Sequence, residues 1–273
     1  MRASSLEMPW GELRLWRAGE GPVPILAVHG LGGSGRYWEG LAEATGSTFR
    51  VIAPDLGGFG RSSKPPGATD RPFHLATLDL IAEEIGGPVV VIGHSLGGVL
   101  GLLWAGSRPE AVAGLALAAS PYPSPRADWD PARWRGSRGL LRRAVVATAR
   151  AVWPLLSLPV QAFGPYPAPV VRDYGRQSIR GRIWTLWALW GDPTLEPEAR
   201  AAAAALRTAA TPALLAYAAD DRSVGPDNAE RWAALLPAAE RLEVPLGGHQ
   251  FVLRDRFASI APWLLGLAVG DHG

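Results

Sequence analysis

The sequence predicts an α/β fold: a mostly parallel sheet with helices on both faces and one insertion. Three observations predict it. Short apolar runs alternate with stretches of helical period along most of the 273 residues. The run Pro88-Val-Val-Val-Ile92 is apolar throughout, the pattern of a strand buried on both faces of a parallel sheet. The alternation breaks once, between residues 121 and 210, and then resumes. The expected divisions are a first core part (1–120), an inserted segment (121–210) and a second core part (211–273).

Glu12 to Ala18 alternates with period two and predicts an early antiparallel strand. Val23 to His29 is a buried strand run ending in the glycine-rich turn Gly30-Leu-Gly-Gly-Ser-Gly35. Arg36 to Thr45 has helical spacing at Trp38, Leu41 and Ala42. Phe49 to Pro54 is a strand ending at Asp55-Leu-Gly-Gly-Phe-Gly-Arg-Ser62. His74 to Ile85 is an amphipathic helix and Val89 to Ile92 a strand. Gly97 to Ser107 is a helix stopped at Arg108-Pro109, and Val112 to Ala119 is the next strand. Inside the insertion, Leu140 to Val152 and Ile183 to Trp190 carry short helical patterns. Strand Pro212 to Ala219 follows, then a helix from Asp227 to Leu236 capped by Asp227. Strand Arg241 to Val244 and a final helix from Phe251 to Leu267 complete the pattern.

Composition narrows the function. Hydrophobic residues make up 48% and charged residues 19%, which excludes a disordered chain. Without cysteine there is no disulfide, thiolate metal site or cysteine nucleophile. The histidines, His29, His74, His94, His249 and His272, form no close pair, so neither a metal nor a cofactor is expected. No stretch of about 18 residues is apolar and free of charge and proline, so no membrane insertion is expected. The start reaches Glu7 before any apolar run and does not read as a secretory leader, so the expected location is cytoplasmic. The net charge of +2 conceals an asymmetry: residues 121–210 carry 13 Arg and 6 acids. These arginines alternate with prolines and tryptophans, without a tight basic run. They read as a solvated face and not as a nucleic-acid site.

Gly93-His94-Ser95-Leu96-Gly97 carries the candidate nucleophile. It follows a predicted strand directly and opens a predicted helix, the setting that forces a serine into a tight, exposed turn. The helix amino terminus supplies N–H groups for a developing oxyanion. A serine hydroxyl needs a base, and His249, in the loop after the last strand, is the best-placed histidine. His94 is read as pointing elsewhere, His29 as fixing the first glycine-rich turn, and His74 as a surface or helix-start residue. His272 lies in a tail expected to fray. The orienting carboxylate is Asp221 or Asp220, at the end of the strand before His249. Asp55 also ends a strand and reads as a turn organiser.

Four blocks together resemble the α/β-hydrolase superfamily over nearly the whole chain: His29-Gly30-Leu31-Gly32-Gly33, Asp55 to Ser62, Gly93 to Gly98, and Gly247-Gly-His249. The resemblance implies an eight-stranded sheet with a helical cap inserted after the sixth strand. It implies Ser95 as nucleophile, His249 as base and an aspartate after the seventh strand as acid. It also implies an oxyanion hole from the N–H groups of Leu31 and Leu96. Relatives often read G-x-x-D-x-x-V-P at the acid. Ala218-Ala-Asp-Asp221-Arg-Ser-Val224-Gly fits with Asp221 as that acid, with Ala218 and Gly225 replacing the usual glycine and proline. Asp220 is the alternative.

The implied function is hydrolysis of a small-molecule carboxylic ester or lactone with an apolar acyl or aryl group, through an acyl-enzyme. Carbon–carbon bond hydrolysis, prolyl peptide hydrolysis and peracid formation use the same triad and stay open. Gln250 stands where carbon–carbon hydrolases often carry Trp, and the basic insertion does not suit an N-terminal amine. Epoxide hydrolases and haloalkane dehalogenases use Asp where this chain has Ser95. A catalytically dead binding protein of the same fold would usually lack a triad member. An interfacial lipid-binding role for Leu140 to Leu158 is limited by Pro154 and Pro159. Trp184, Trp187 and Trp190, at three-residue spacing, either line an apolar pocket or pack the insertion onto the core.

Overall fold

The computed structural model describes residues 1–65, 68, 70–123, 168–174, 176 and 192–270. Eight strands form one sheet: β1 (Arg2–Met8), β2 (Gly11–Ala18), β3 (Val23–Val28), β4 (Phe49–Pro54), β5 (Val89–His94), β6 (Val112–Ala118), β7 (Ala213–Ala218) and β8 (Glu240–Val244). Their order is β1-β2-β4-β3-β5-β6-β7-β8. The β1–β2 and β2–β4 pairs are antiparallel and all other neighbours are parallel. The described helices are α1 (Leu41–Thr45), α2 (Arg71–Ile85), α3 (Leu96–Ser107), α4 (Ala168–Tyr174), α5 (Leu195–Thr208), α6 (Asp227–Leu235), α7 (Phe251–Arg254) and α8 (Ala261–Gly270).

Period-two alternation divides the sheet into two cores. Val89 and Val91 of β5 point to one face, with Leu78 of α2, Leu100 of α3, Ala199 of α5 and Trp232 of α6. Val90 and Ile92 point to the other, with Leu41 of α1, Val252 of α7 and Leu264 of α8. Fully burying each such side chain contributes roughly 1.5–3 kcal/mol. This is why an uninterrupted apolar run, rather than an alternating one, marks β5 in the sequence.

Several elements differ from the sequence expectation. β1 was not anticipated as a strand. It is an edge strand whose only buried residue is Met8, so its sequence carries no apolar signal. Helix α2 starts three residues before His74, because Asp70 accepts the Phe73 N–H at 3.0 Å as its cap. His74 therefore lies inside the helix and is buried, not on the surface. Asp227 is not a cap: Pro226 holds that position, and Asp227 is the first helical residue, where its charge still favours the helix dipole. The single final helix is broken in two. Arg256 and Phe257 take positive φ, and the turn drives Phe257 into the core against Trp38, ring centroids 5.6 Å apart. Asp255 holds that turn by accepting the Phe257 and Ser259 N–H groups.

Leu140–Val152, Ile183–Trp190 and His272 lie outside the described residues. At the end of the inserted stretch, α5 packs on α3 so closely that a methyl group at Gly106 would collide with Ala202. The two ends of the stretch are tied to the core. Tyr122 donates its N–H to Asn228 and its hydroxyl to Glu196, while Arg71 pairs with Asp192 at 2.6 Å and Glu198 at 2.8 Å. Among the described residues no helix is long and apolar enough to cross a membrane.

Candidate active site

β5 carries Gly93 and His94 to the carboxyl edge of the sheet, and the chain turns at Ser95 into α3. Ser95 has φ 54 and ψ −121, a conformation that costs a non-glycine residue roughly 1–3 kcal/mol. Close packing imposes it. A methyl at Gly97 would overlap the Val28 carbonyl, and one at Gly98 would overlap the Ser120 side chain. The Ser95 N–H donates to the Ala118 carbonyl at 2.9 Å, tying the turn to β6. Leu96 opens α3, and the first amides of a helix have no partner within it. A methyl at Gly30 would stand 3.1 Å from the Ser95 Cβ, so the Gly30–Leu31 backbone passes against the serine. The turn that presents Leu31 is closed by the Gly33 N–H on the Gly30 carbonyl at 3.0 Å. Leu31 and Leu96 thus flank Ser95, one from the loop after β3 and the other from the first turn of α3.

His249 and Asp221 meet from the loops after β8 and β7. The His249 Nδ1–H donates to Asp221 Oδ2 at 2.8 Å, which leaves Nε2 with its lone pair. The other oxygen, Asp221 Oδ1, accepts the Ser223 and Val224 N–H groups at 2.7 and 2.9 Å. Burial pushes the Asp221 carboxyl up, but the His249 hydrogen bond and the two amides outweigh it and hold the group below its ordinary range. Asp220 points elsewhere: it is exposed, and its Oδ1 accepts the Gly248 N–H at 2.7 Å. That amide holds the Asp220 carboxyl below its ordinary range. Of the two candidate acids, Asp221 is the one that reaches the imidazole. Ser95 and His249 share no hydrogen bond in this structure, a contact that in such sites often tightens only when substrate is bound.

His94 has a place that sequence reasoning missed. Its Nε2–H donates to the His249 carbonyl at 2.8 Å, and its ring stacks on Tyr37 at 4.7 Å and 22°. Tyr37 donates its hydroxyl to Gln250 Oε1 at 3.0 Å. No residue pattern announces a bond to a carbonyl 155 positions away. His29 and Asp55 do organise the loops as expected. The His29 Nδ1–H donates to the Gly30 carbonyl and its Nε2 accepts the Leu56 N–H. Asp55 accepts from Trp16 Nε1, Gly35 N and Arg61 N at 2.7–2.8 Å. Trp184, Trp187 and Trp190 lie outside the described residues. Among the described residues no three His, Asp or Glu side chains converge as a metal site would require.

Buried titratable groups make stability depend on pH. Burial lowers His29 to about 4 and His74 and His94 to about 3, from an ordinary 6.5. Burial raises Asp55 to about 6, against the pull of its three N–H donors. Between pH 6.5 and 4 the unfolded chain therefore binds protons on three histidines that the folded chain refuses. Over much of that window the folded chain holds one on Asp55 that the unfolded chain has lost. The balance is about two protons taken up on unfolding near pH 5, or roughly 2–3 kcal/mol of stability lost per pH unit as acid is added. Denaturant midpoints measured from pH 7 to pH 5 should fall accordingly; equal midpoints would contradict the assignment of neutral buried histidines.

A family model described as alpha/beta hydrolase fold matches residues 23–255. The chain is 32% identical over 241 residues to the pimeloyl-(acyl-carrier protein) methyl ester esterase of Chromobacterium violaceum, covering 85% of this chain and 88% of that one. The thioesterase domain from the curacin biosynthetic pathway superposes with a TM-score of 0.75 at 23% identity, over 97% of this chain and 99% of that one. A haloalkane dehalogenase loop variant from Bradyrhizobium elkanii gives the same TM-score at 22% identity, over 99% and 98%. At these identities the two structures speak for the fold alone.

Proposed function

Because the chain belongs to the alpha/beta hydrolase fold family, we propose that it is a serine hydrolase of carboxylic esters with an apolar acyl or aryl group. The observation that carries the reading is the His249–Asp221 hydrogen bond, which leaves Nε2 of the imidazole as an acceptor. Ser95 at the strained turn before α3 is the matching nucleophile. Nε2 takes the Ser95 hydroxyl proton as Oγ attacks the carbonyl carbon, and Asp221 stabilises the imidazolium so formed. The N–H groups of Leu31 and Leu96 receive the oxyanion. The imidazolium returns its proton to the departing alcohol, leaving an acyl group on Ser95. Water, deprotonated by His249, releases the acid and restores the hydroxyl. The esterase relative at 32% identity supports the ester class over amides and carbon–carbon bonds.

The acyl preference is read from the sequence alone, from Trp184, Trp187 and Trp190 at three-residue spacing in the inserted segment, side chains of the kind an apolar pocket needs. Each buried CH₂ contributes roughly 0.8 kcal/mol, so kcat/KM for nitrophenyl esters should rise from acetate towards medium chains, by up to about fourfold per CH₂. It should change little between low and moderate salt. A panel of nitrophenyl esters of graded chain length, with lactones and prolyl amides alongside, tests this. Preference for acetate or for anionic esters, suppressed by salt, would show that the arginines of the segment meet the substrate instead.

A further inference from the structure

His249 is held at three points, and the mechanism above uses only one. Asp221 takes the side chain. Asp220 takes the Gly248 N–H, just before the base. His94 takes the carbonyl of His249 itself, through Nε2–H at 2.8 Å. His94 has little freedom to do anything else. It is buried at 2% exposure, stacked on Tyr37, and a methyl at Gly30 would stand only 3.0 Å from its Nδ1. Burial lowers its imidazole to about 3, so at neutral pH it is uncharged and its one ring N–H is the donated one.

The turn that carries Ser95 therefore also carries, one residue earlier, the donor that seats the backbone of the base. Resting on the serine-hydrolase reading, we propose that His94 is a positioning residue: its hydrogen bond to the His249 carbonyl sets the separation of Ser95 and His249. It touches no substrate. Its effect falls on the chemical step and leaves ester binding unchanged, because a misplacement of about 1 Å in such a pair slows reaction without removing a binding contact.

Two carboxamides separate this role from simple core filling. In His94→Gln the side-chain amide extends to where the imidazole Nε2–H lies, whereas the amide of His94→Asn stops short. With the full chain and p-nitrophenyl butyrate, His94→Asn should lower kcat about 10- to 100-fold with KM within about twofold, and His94→Gln should restore most of it. Fluorophosphonate labelling rates should follow the same order, with melting temperatures recorded for both. If His94→Asn does not fold, His94→Phe, which fills the space against Tyr37 and donates nothing, replaces it. Equal kcat in the donating and non-donating variants overturns the inference alone. A wild-type chain without Ser95-dependent turnover overturns the serine-hydrolase reading and this inference with it.

Discussion

Ser95→Ala should abolish ester turnover, a loss of about 10⁶-fold in comparable triads, and with it all labelling by a fluorophosphonate probe. The fold should survive. Among the described residues the Ser95 side chain makes no hydrogen bond, so removing it leaves no buried partner there unsatisfied. Alanine also inherits the same positive φ at no greater steric cost than serine. The melting temperature should therefore stay within a few degrees of wild type while activity disappears. That combination separates a nucleophile from a structural residue. Labelling that persists in Ser95→Ala would move the nucleophile elsewhere.

Asp221→Asn should cost about 10⁴-fold in kcat, by analogy with the same change in other triads. The amide oxygen can still accept the Ser223 and Val224 N–H groups that Oδ1 now takes, so the loop should keep its shape. The amide nitrogen then faces His249 Nδ1 with a donor. The imidazole proton must move to Nε2, the atom that has to accept the serine proton, and the base is disabled. Asp220→Asn should cost less than about tenfold, because its amide oxygen still accepts the Gly248 N–H. The measurement is kcat for both variants on one ester. The reverse ranking would transfer the acid to Asp220.

The neighbouring aspartates mark where sequence legibility ends. Both end the same strand, and register favoured Asp221 only by alignment with a pattern that this chain breaks at Ala218 and Gly225. The distinction is angular: consecutive residues leave the chain in different directions, and only one reaches the imidazole. The parallel sheet was legible because burial on two faces forces apolar runs into strands such as β5. The Ser95 turn was legible because close packing excludes side chains at Gly93, Gly97 and Gly98. β1 was not legible, since an edge strand buries almost nothing. The break between α7 and α8 was invisible because apolar periodicity continues through Phe257, whose positive φ no periodicity records. The bond made by His94 was not legible because its partner is a backbone carbonyl, which every residue has.

The pinned ends of the inserted stretch have a consequence for how such an enzyme changes its tastes. Tyr122, on one side, is held by Asn228 and Glu196; Asp192, on the other, is held by Arg71. Between these points α4 reaches the core as well: Val170 is buried among its residues and Asp173 pairs with Arg61. Closure entropy grows only with the logarithm of length, about 0.6 kcal/mol for each doubling, so changes of length on either side of α4 strain the frame little. The stretch is in that sense a cassette. Ser95, Asp221 and His249 all lie outside it, on loops of the sheet itself. Transplanting residues 124–191 between relatives, with Val170 and Asp173 kept, should transfer acyl preference while the chemistry of bond cleavage stays behind.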